Sequence, residues 1–185
     1  MSRCSISRAN HLAWKYLSHN RYQHSLRVAD MAKKLAKRWG AREEFLVRAA
    51  LLHDLGYSFG GDGLSHAGIS GSYSAMVGCD KETVRAIKLH TIGGPAMNLE
   101  EKILFLADGI EMGRSFPRVK EIRKLAFINL DKALLAYLKG SKRYLEKQGK
   151  SVHRKTLLME NEIRRRKNGR TDQKNRRLFD RKTSQ

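Results

Sequence analysis

Proline is nearly absent from this sequence: two residues in 185, which excludes a proline-rich linker. Cysteine is equally scarce. Cys4 and Cys79 are too few for a disulfide framework, and their spacing matches no zinc motif. They are expected as separate, reduced thiols of a cytoplasmic protein, one in a mobile start and one in a loop. No apolar run is long enough to span a membrane. The basic stretch Met1 to Asn10 has no apolar segment behind it, so it does not read as a secretory signal. No segment alternates with period two for long enough to be a strand, and there is neither an internal repeat nor a low-complexity tract. Acidic residues are also in short supply: 18 against 38 Lys plus Arg, a formal net charge of +20.

That charge is uneven. From Lys139 to the end there are 17 basic and 5 acidic residues. A field of this sign attracts nucleotides, phosphates, nucleic acid and acidic lipids. Two readings of the end stay open: a solvated, flexible tail over 163–185, or a contact for RNA or another polyanion. Base stacking is not expected there, because Phe179 is the only aromatic residue after Tyr144.

What is present is helical periodicity. Between Gln23 and Trp39 the residues Val28, Met31, Ala32, Leu35, Ala36 and Trp39 recur at three- and four-residue steps, and Gly40 stops the run. Further helices are expected over Glu43 to His53, Lys81 to His90, Leu99 to Met112, Val119 to Phe127, Leu130 to Lys147 and Thr156 to Arg166. A weaker one, from Ala67 to Val77, is interrupted by Gly68 and Gly71. The glycine-rich stretch Tyr57 to Ser65 reads as a loop. The expected fold is all-α: one helical bundle over residues 8–162 with a basic C-terminal tail.

Chemistry concentrates on histidine and aspartate. His53-Asp54 follows the apolar run Ala49-Ala50-Leu51-Leu52. Two adjacent polar side chains at a helix end pack poorly in a core but can meet one metal ion, which the negative end of the helix also favours. Asp108 lies inside Ile103-Leu104-Phe105-Leu106-Ala107-Asp108-Gly109-Ile110, where a carboxylate is costly unless paired or metal-bound. The alternative is a solvated stripe shared with Glu101 and Glu111. His24, His66 and His90 complete a set of nitrogen and carboxylate ligands without thiolate, which suits iron, manganese, zinc or another first-row metal. Six ligands exceed one tetrahedral site. They point to two ions with a bridging carboxylate and a bridging water or hydroxide as nucleophile. His11, His19 and His153 are read as structural or surface residues.

At these residues the sequence resembles the HD superfamily of metal-dependent phosphohydrolases, and within it the YqeK family of symmetrical bis(5'-nucleosyl)-tetraphosphatases. The matching stretches are Arg21-Tyr22-Gln23-His24 with Ser25 to Ala29, Ala50 to Asp54, His66-Ala67, Ala86 to Thr91, Leu99 to Ile103, Leu106 to Glu111, Arg114 to Val119 and Ile122-Arg123. His153, Thr156 and Asn161 match weaker positions. The resemblance implies an HD-type helical enzyme that cleaves diadenosine tetraphosphate to two ADP. It also implies one iron on His24, His53, Asp54 and Asp108, and a second on His66 and His90 with Asp54 bridging. Arg21, Arg27 and Arg114 are the candidates for gripping phosphate oxygens, since a guanidinium holds two at once. The expected partners are the nucleotide and, through the tail, RNA or another polyanion; a homodimer is left open and a membrane is not expected. Two departures stand out. His53 and His66 are only 13 residues apart, closer than in most of the family, and Leu55-Gly56-Tyr57 stands where many members carry a lysine. The short bridge leaves a mononuclear centre without His66 as the alternative. A different nucleotide ((d)NTP, NMP or alarmone) and a purely RNA-binding module are the alternative functions.

Overall fold

The computed structural model of the protein describes residues 4–165. Among these, the regular elements are helices and no strand occurs. In chain order they are α1 (Ile6–Tyr16), α2 (His19–Trp39), α3 (Glu43–Leu52), α4 (His66–Met76), α5 (Lys81–Leu89), α6 (Leu99–Ile110), α7 (Val119–Ile128) and α8 (Leu130–Lys147). A short 3-10 turn, Leu55–Phe59, follows α3. A ninth helix, α9, runs over 154–165 to the end of the described part. The tail beyond it lies outside the described residues. None of the described helices is long and apolar enough to cross a membrane.

Every helix expected from periodicity is present; α1 is the addition. Ser5 caps it, its hydroxyl accepting from the N–H of Arg8, and its buried face consists of Ala9 and Ala13. Two alanines among Arg, Asn, His and Lys make too faint an apolar stripe to register as a period.

The core is built around α6. It is buried on almost every side through Ile103, Leu104, Phe105, Leu106, Ala107 and Ile110. Each fully buried Leu or Ile of this kind stabilises the fold by about 2 kcal/mol. A capping box starts the helix: the Asn98 side chain accepts from the Glu101 N–H, and the Glu101 carboxylate accepts from the Asn98 N–H. Arg123 of α7 closes its other end, donating to the carbonyls of Ile110 (2.7 Å) and Glu111 (2.6 Å). The α2–α3 pair, turned by Gly40 in the left-handed region (φ 69°), packs across α6. The α4–α5 pair packs through α5 on both α3 and α6, and the α7–α8 hairpin packs on α6. Helix α9 braces the segment after α5: the Thr156 hydroxyl donates to the Ile92 carbonyl (2.7 Å), and Glu162 accepts from the Ala96 N–H (2.6 Å).

The cysteines behave differently from the expectation. Cys4 is buried rather than mobile, and it is joined to Cys79 in a disulfide, with the two Cα atoms 4.8 Å apart. Cys79 does lie in a loop, between α4 and α5. The start of α1 meets that loop across 75 residues of sequence, a juxtaposition that no local pattern announces.

Candidate metal centre

Helix ends deliver most of the site. His53 follows directly after α3 in helical backbone, and Asp54 opens the 3-10 turn. The His53 Nδ1–H donates to the Ala50 carbonyl (2.6 Å), one of the carbonyls left over at the end of α3. His90 repeats the device at the end of α5, donating to Ile87 (2.6 Å). His66, the first residue of α4, donates from Nδ1 to the Asp62 carbonyl (2.8 Å). These hydrogen bonds assign the proton to Nδ1 in all three rings, so each Nε2 presents a lone pair to the interior.

The short bridge between His53 and His66 works because of its glycines. Gly56 and Gly61 lie so close to the backbone of His66 that a Cβ at either position would collide with it. The turn is set by Asp62, whose carboxylate accepts from the N–H groups of Leu64 (3.0 Å) and Ser65 (2.8 Å) and from the Ser65 hydroxyl (2.7 Å). Those bonds hold the Asp62 carboxyl at about 2. With this tight fold, thirteen residues suffice to return His66 to the site.

The remaining members come from helix interiors. His24 of α2 places Nε2 3.0 Å from Oδ1 of Asp108 in α6, and its Nδ1 donates to Glu111 (3.2 Å). All six expected residues converge. Oδ1 of Asp54 lies 3.3 Å from Nε2 of His53, 3.4 Å from that of His66 and 3.8 Å from that of His90. His24, His53 and Asp108 form one group with ligand spacing, and His53, Asp54 and His90 another. Nε2 of His66 stands 3.0 Å from Nε2 of His90, with the Thr91 hydroxyl within 3.2 Å of both.

This arrangement fits a metal ion. Nε2 of His53 is fully buried and has no hydrogen-bond partner. Two imidazole lone pairs face one another at His66 and His90. Buried lone pairs in such positions are costly unless a cation or proton lies among them. The protonation equilibria follow the same geometry. Burial alone would raise the Asp108 carboxyl, but the His24 hydrogen bond and the electrostatic influence of the adjacent His53 and His90 rings and of Arg114 hold it well below the usual carboxylate range. Asp54 is likewise lowered against its burial by His53 and His90. Burial pushes His90 down to about 4 and also lowers His66. Burial opposes protonation of His24 as well, yet the Asp108 bond raises it.

The three arginines separate. Arg21 places Nη1 3.3 Å from Oδ2 of Asp54 at the rim. Arg114 donates to the Asp108 carboxylate (2.7 Å) and to its carbonyl (3.0 Å). Arg27 instead pairs with Glu111 (2.7 Å). His11, His19 and His153 are exposed, and His153 caps α9 by accepting from the Lys155 N–H (3.1 Å).

Glu111 is the residue that sequence reasoning passed over. Neither it nor Glu101 lies on a solvated stripe: both are buried, which removes that alternative for Asp108. Glu111 holds His24 and Arg27 and accepts from the Gly113 N–H, so its carboxyl is lowered despite burial. Its position in Ile110-Glu111, beside Asp108 in the matching stretch, was the available signal. Tyr57 and Thr91 also border the site; the signals for them were the departure at Leu55-Gly56-Tyr57 and the end of the matching stretch Ala86 to Thr91.

The helical fold and the converged histidines and aspartates are those of an HD domain, and the HD domain family matches residues 21–113. The chain belongs to this family and is an HD-type hydrolase. Within it, the chain is similar to bis(5'-nucleosyl)-tetraphosphatase, symmetrical, of Halalkalibacterium halodurans: 33% identical, covering 84% of this chain and 95% of the relative. The protein of that name from Staphylococcus aureus is 35% identical, covering 83% and 91%. In structure the chain resembles a predicted HD superfamily hydrolase involved in NAD metabolism from Clostridium acetobutylicum, with a TM-score of 0.76 and 30% identity over 88% of this chain and 98% of the other.

Proposed function

We propose that the protein hydrolyses diadenosine tetraphosphate symmetrically, releasing two ADP. In this reading His24, His53, Asp54 and Asp108 hold one first-row transition metal ion, iron by preference. His66 and His90 hold a second, with Asp54 shared between them. The observation that carries the reading is the orphaned Nε2 of His53, set among five further ligand side chains in a chain whose relatives bear the tetraphosphatase name. Bound ions would supply Lewis acidity toward phosphoryl oxygens and acidify water at neutral pH.

The chain's own residues supply the rest. The carbonyls of Ala50, Ile87 and Asp62 fix the ring tautomers. Glu111 orients His24 and is neutralised by Arg27. Arg21 and Arg114 stand at the rim with exposed side chains and offer in-plane N–H groups to phosphate oxygens; cleavage at an inner phosphorus depends mainly on such positioning and charge neutralisation. The engagement of Arg27 with Glu111 favours a supporting part for it over direct phosphate contact.

The test is hydrolysis of diadenosine tetraphosphate by iron-loaded protein, with ADP as the sole nucleotide product. ADP release no greater than that of Asp54→Ala sinks the substrate assignment. Metal content of protein purified without chelator tests the centre: two equivalents per chain support the paired site. A second reading, hydrolysis of another nucleotide, is favoured by the tight Gly56–Asp62 bridge bordering the site; a panel of nucleotides separates the two.

A further inference from the structure

Tyr57 lies three residues past Asp54, in the 3-10 turn. Its ring stacks on the imidazole of His66, with centroids 4.0 Å apart and planes 14° from parallel. The guanidinium carbon of Arg21 lies 3.3 Å from the same ring centroid. Two planar groups that close cannot share one face of a phenol ring, so Tyr57 is sandwiched between His66 and Arg21. The sandwich links the floor of the site to its rim: His66 is buried, while the Arg21 side chain is 41% exposed. A guanidinium that uses its face for stacking keeps its N–H edges free to point sideways. Of the five N–H donors an arginine has, one is engaged by Asp54.

We infer that Tyr57 is a positioning residue for substrate phosphate: backed by the His66 ring, it holds the Arg21 guanidinium flat beside Asp54, with its remaining N–H edges turned to an incoming phosphate oxygen. The ligand class is a nucleoside di- or polyphosphate, and in this the inference rests on the proposed function. The Tyr57 hydroxyl also meets Arg21; the stacking face is what the inference turns on. A flexible arginine without this support would lose its orientation and much of its grip.

The experiment is a mutant cycle on the metal-loaded protein, read by calorimetric titration with ADP and by kcat and KM for diadenosine tetraphosphate. Tyr57→Phe keeps both stacking faces and is expected to bind ADP within about twofold of the parent. Tyr57→Leu keeps apolar volume but loses the cation–π contact and is expected to weaken ADP about tenfold. That loss should appear as a higher KM with kcat retained. Arg21→Ala should lose a similar factor, and Tyr57→Leu in an Arg21→Ala background should lose nothing further. Parent-like ADP affinity in Tyr57→Leu overturns the inference, as does a double variant whose loss is the product of the two single losses. A loss of metal from Tyr57→Leu without a change in ADP affinity also overturns it, since Tyr57 would then act only through His66. If the parent fails to cleave diadenosine tetraphosphate, the substrate assignment falls while the ADP cycle still decides the part played by Tyr57.

Discussion

Glu111 sets the orientation of His24 from behind, and its own charge is matched by Arg27. Carboxylates in this relation to a ligand histidine fix the tautomer and raise the basicity of the ring. Glu111→Gln keeps the shape but removes the charge. It is expected to weaken metal binding by about 10- to 100-fold, measured by competition with a chelator of known affinity. His53, Asp54, His66, His90 and Asp108 were legible in the sequence because each is a polar side chain in an apolar setting or at a helix end; His24, inside α2 among polar neighbours, was legible only through its place in the recognisable order. Glu111 was not. A glutamate near a helix end, followed by Met112, Gly113 and Arg114, has the local character of a surface residue, and only the approach of α2 buries it.

Between the residue and the fold stand the helix termini. Arg123 satisfies the last carbonyls of α6 and also donates to the Arg114 carbonyl (2.8 Å), so it fixes the turn that carries both Glu111 and Arg114. Arg123→Met keeps the aliphatic stem and leaves these carbonyls without their donor. A loss of about 2–3 kcal/mol in urea unfolding is expected, from charge-assisted bonds of this kind. Asp80 starts α5 by accepting from the N–H of Thr83 (2.7 Å), and it also pairs with Arg48 (3.1 Å). Burial would raise its carboxyl, but the Thr83 bonds and Arg48 lower it below the ordinary 3.8. A carboxyl with a lowered folded-state value stabilises fully above the unfolded value and loses that contribution as pH falls through the folded one. Asp80→Ala should therefore cost about 1 kcal/mol at neutral pH, with the difference from the parent shrinking as the pH falls below 3.8; urea titrations at pH 7 and pH 3 check both. Helices α2, α3 and α5 to α9 could be read from the sequence because their buried faces carry Leu, Ile, Val or Met at helical spacing; α4 was the faint one, since it buries only His66, Ala67, Ser70, Gly71 and Ser74. Helix α1 could not, since its inward face is Ala9 and Ala13, and its contribution is close approach to the helices beneath rather than apolar bulk.

For the whole molecule, the covalent topology matters most. The Cys4–Cys79 bond closes a loop that contains Arg21, His24, His53, Asp54, Tyr57 and His66. By the chain-entropy argument a crosslink across 75 residues restricts the unfolded chain by about 4 kcal/mol. Reduction should lower the melting temperature of the parent and leave a Cys4→Ser, Cys79→Ser double variant unaffected, as followed by thermal unfolding with and without a thiol reductant. The sequence hid this pairing because two cysteines so far apart have no pattern. Their meeting depends on α1, the helix that the periodicity did not show.

The matched ends of α3 and α5 bear on how such a chain can change. His53 and His90 each stand three residues beyond the carbonyl that orients them. A residue added within either helix would swing the following imidazole by about 100° around the axis and away from the centre. A residue added between the helices would change only the path of the connection. Ligand spacing along the chain is therefore free to drift, provided each helix keeps its phase. The thirteen-residue span from His53 to His66 shows how short such a connection can be where the backbone turns sharply enough to bring the next helix to the same point in space.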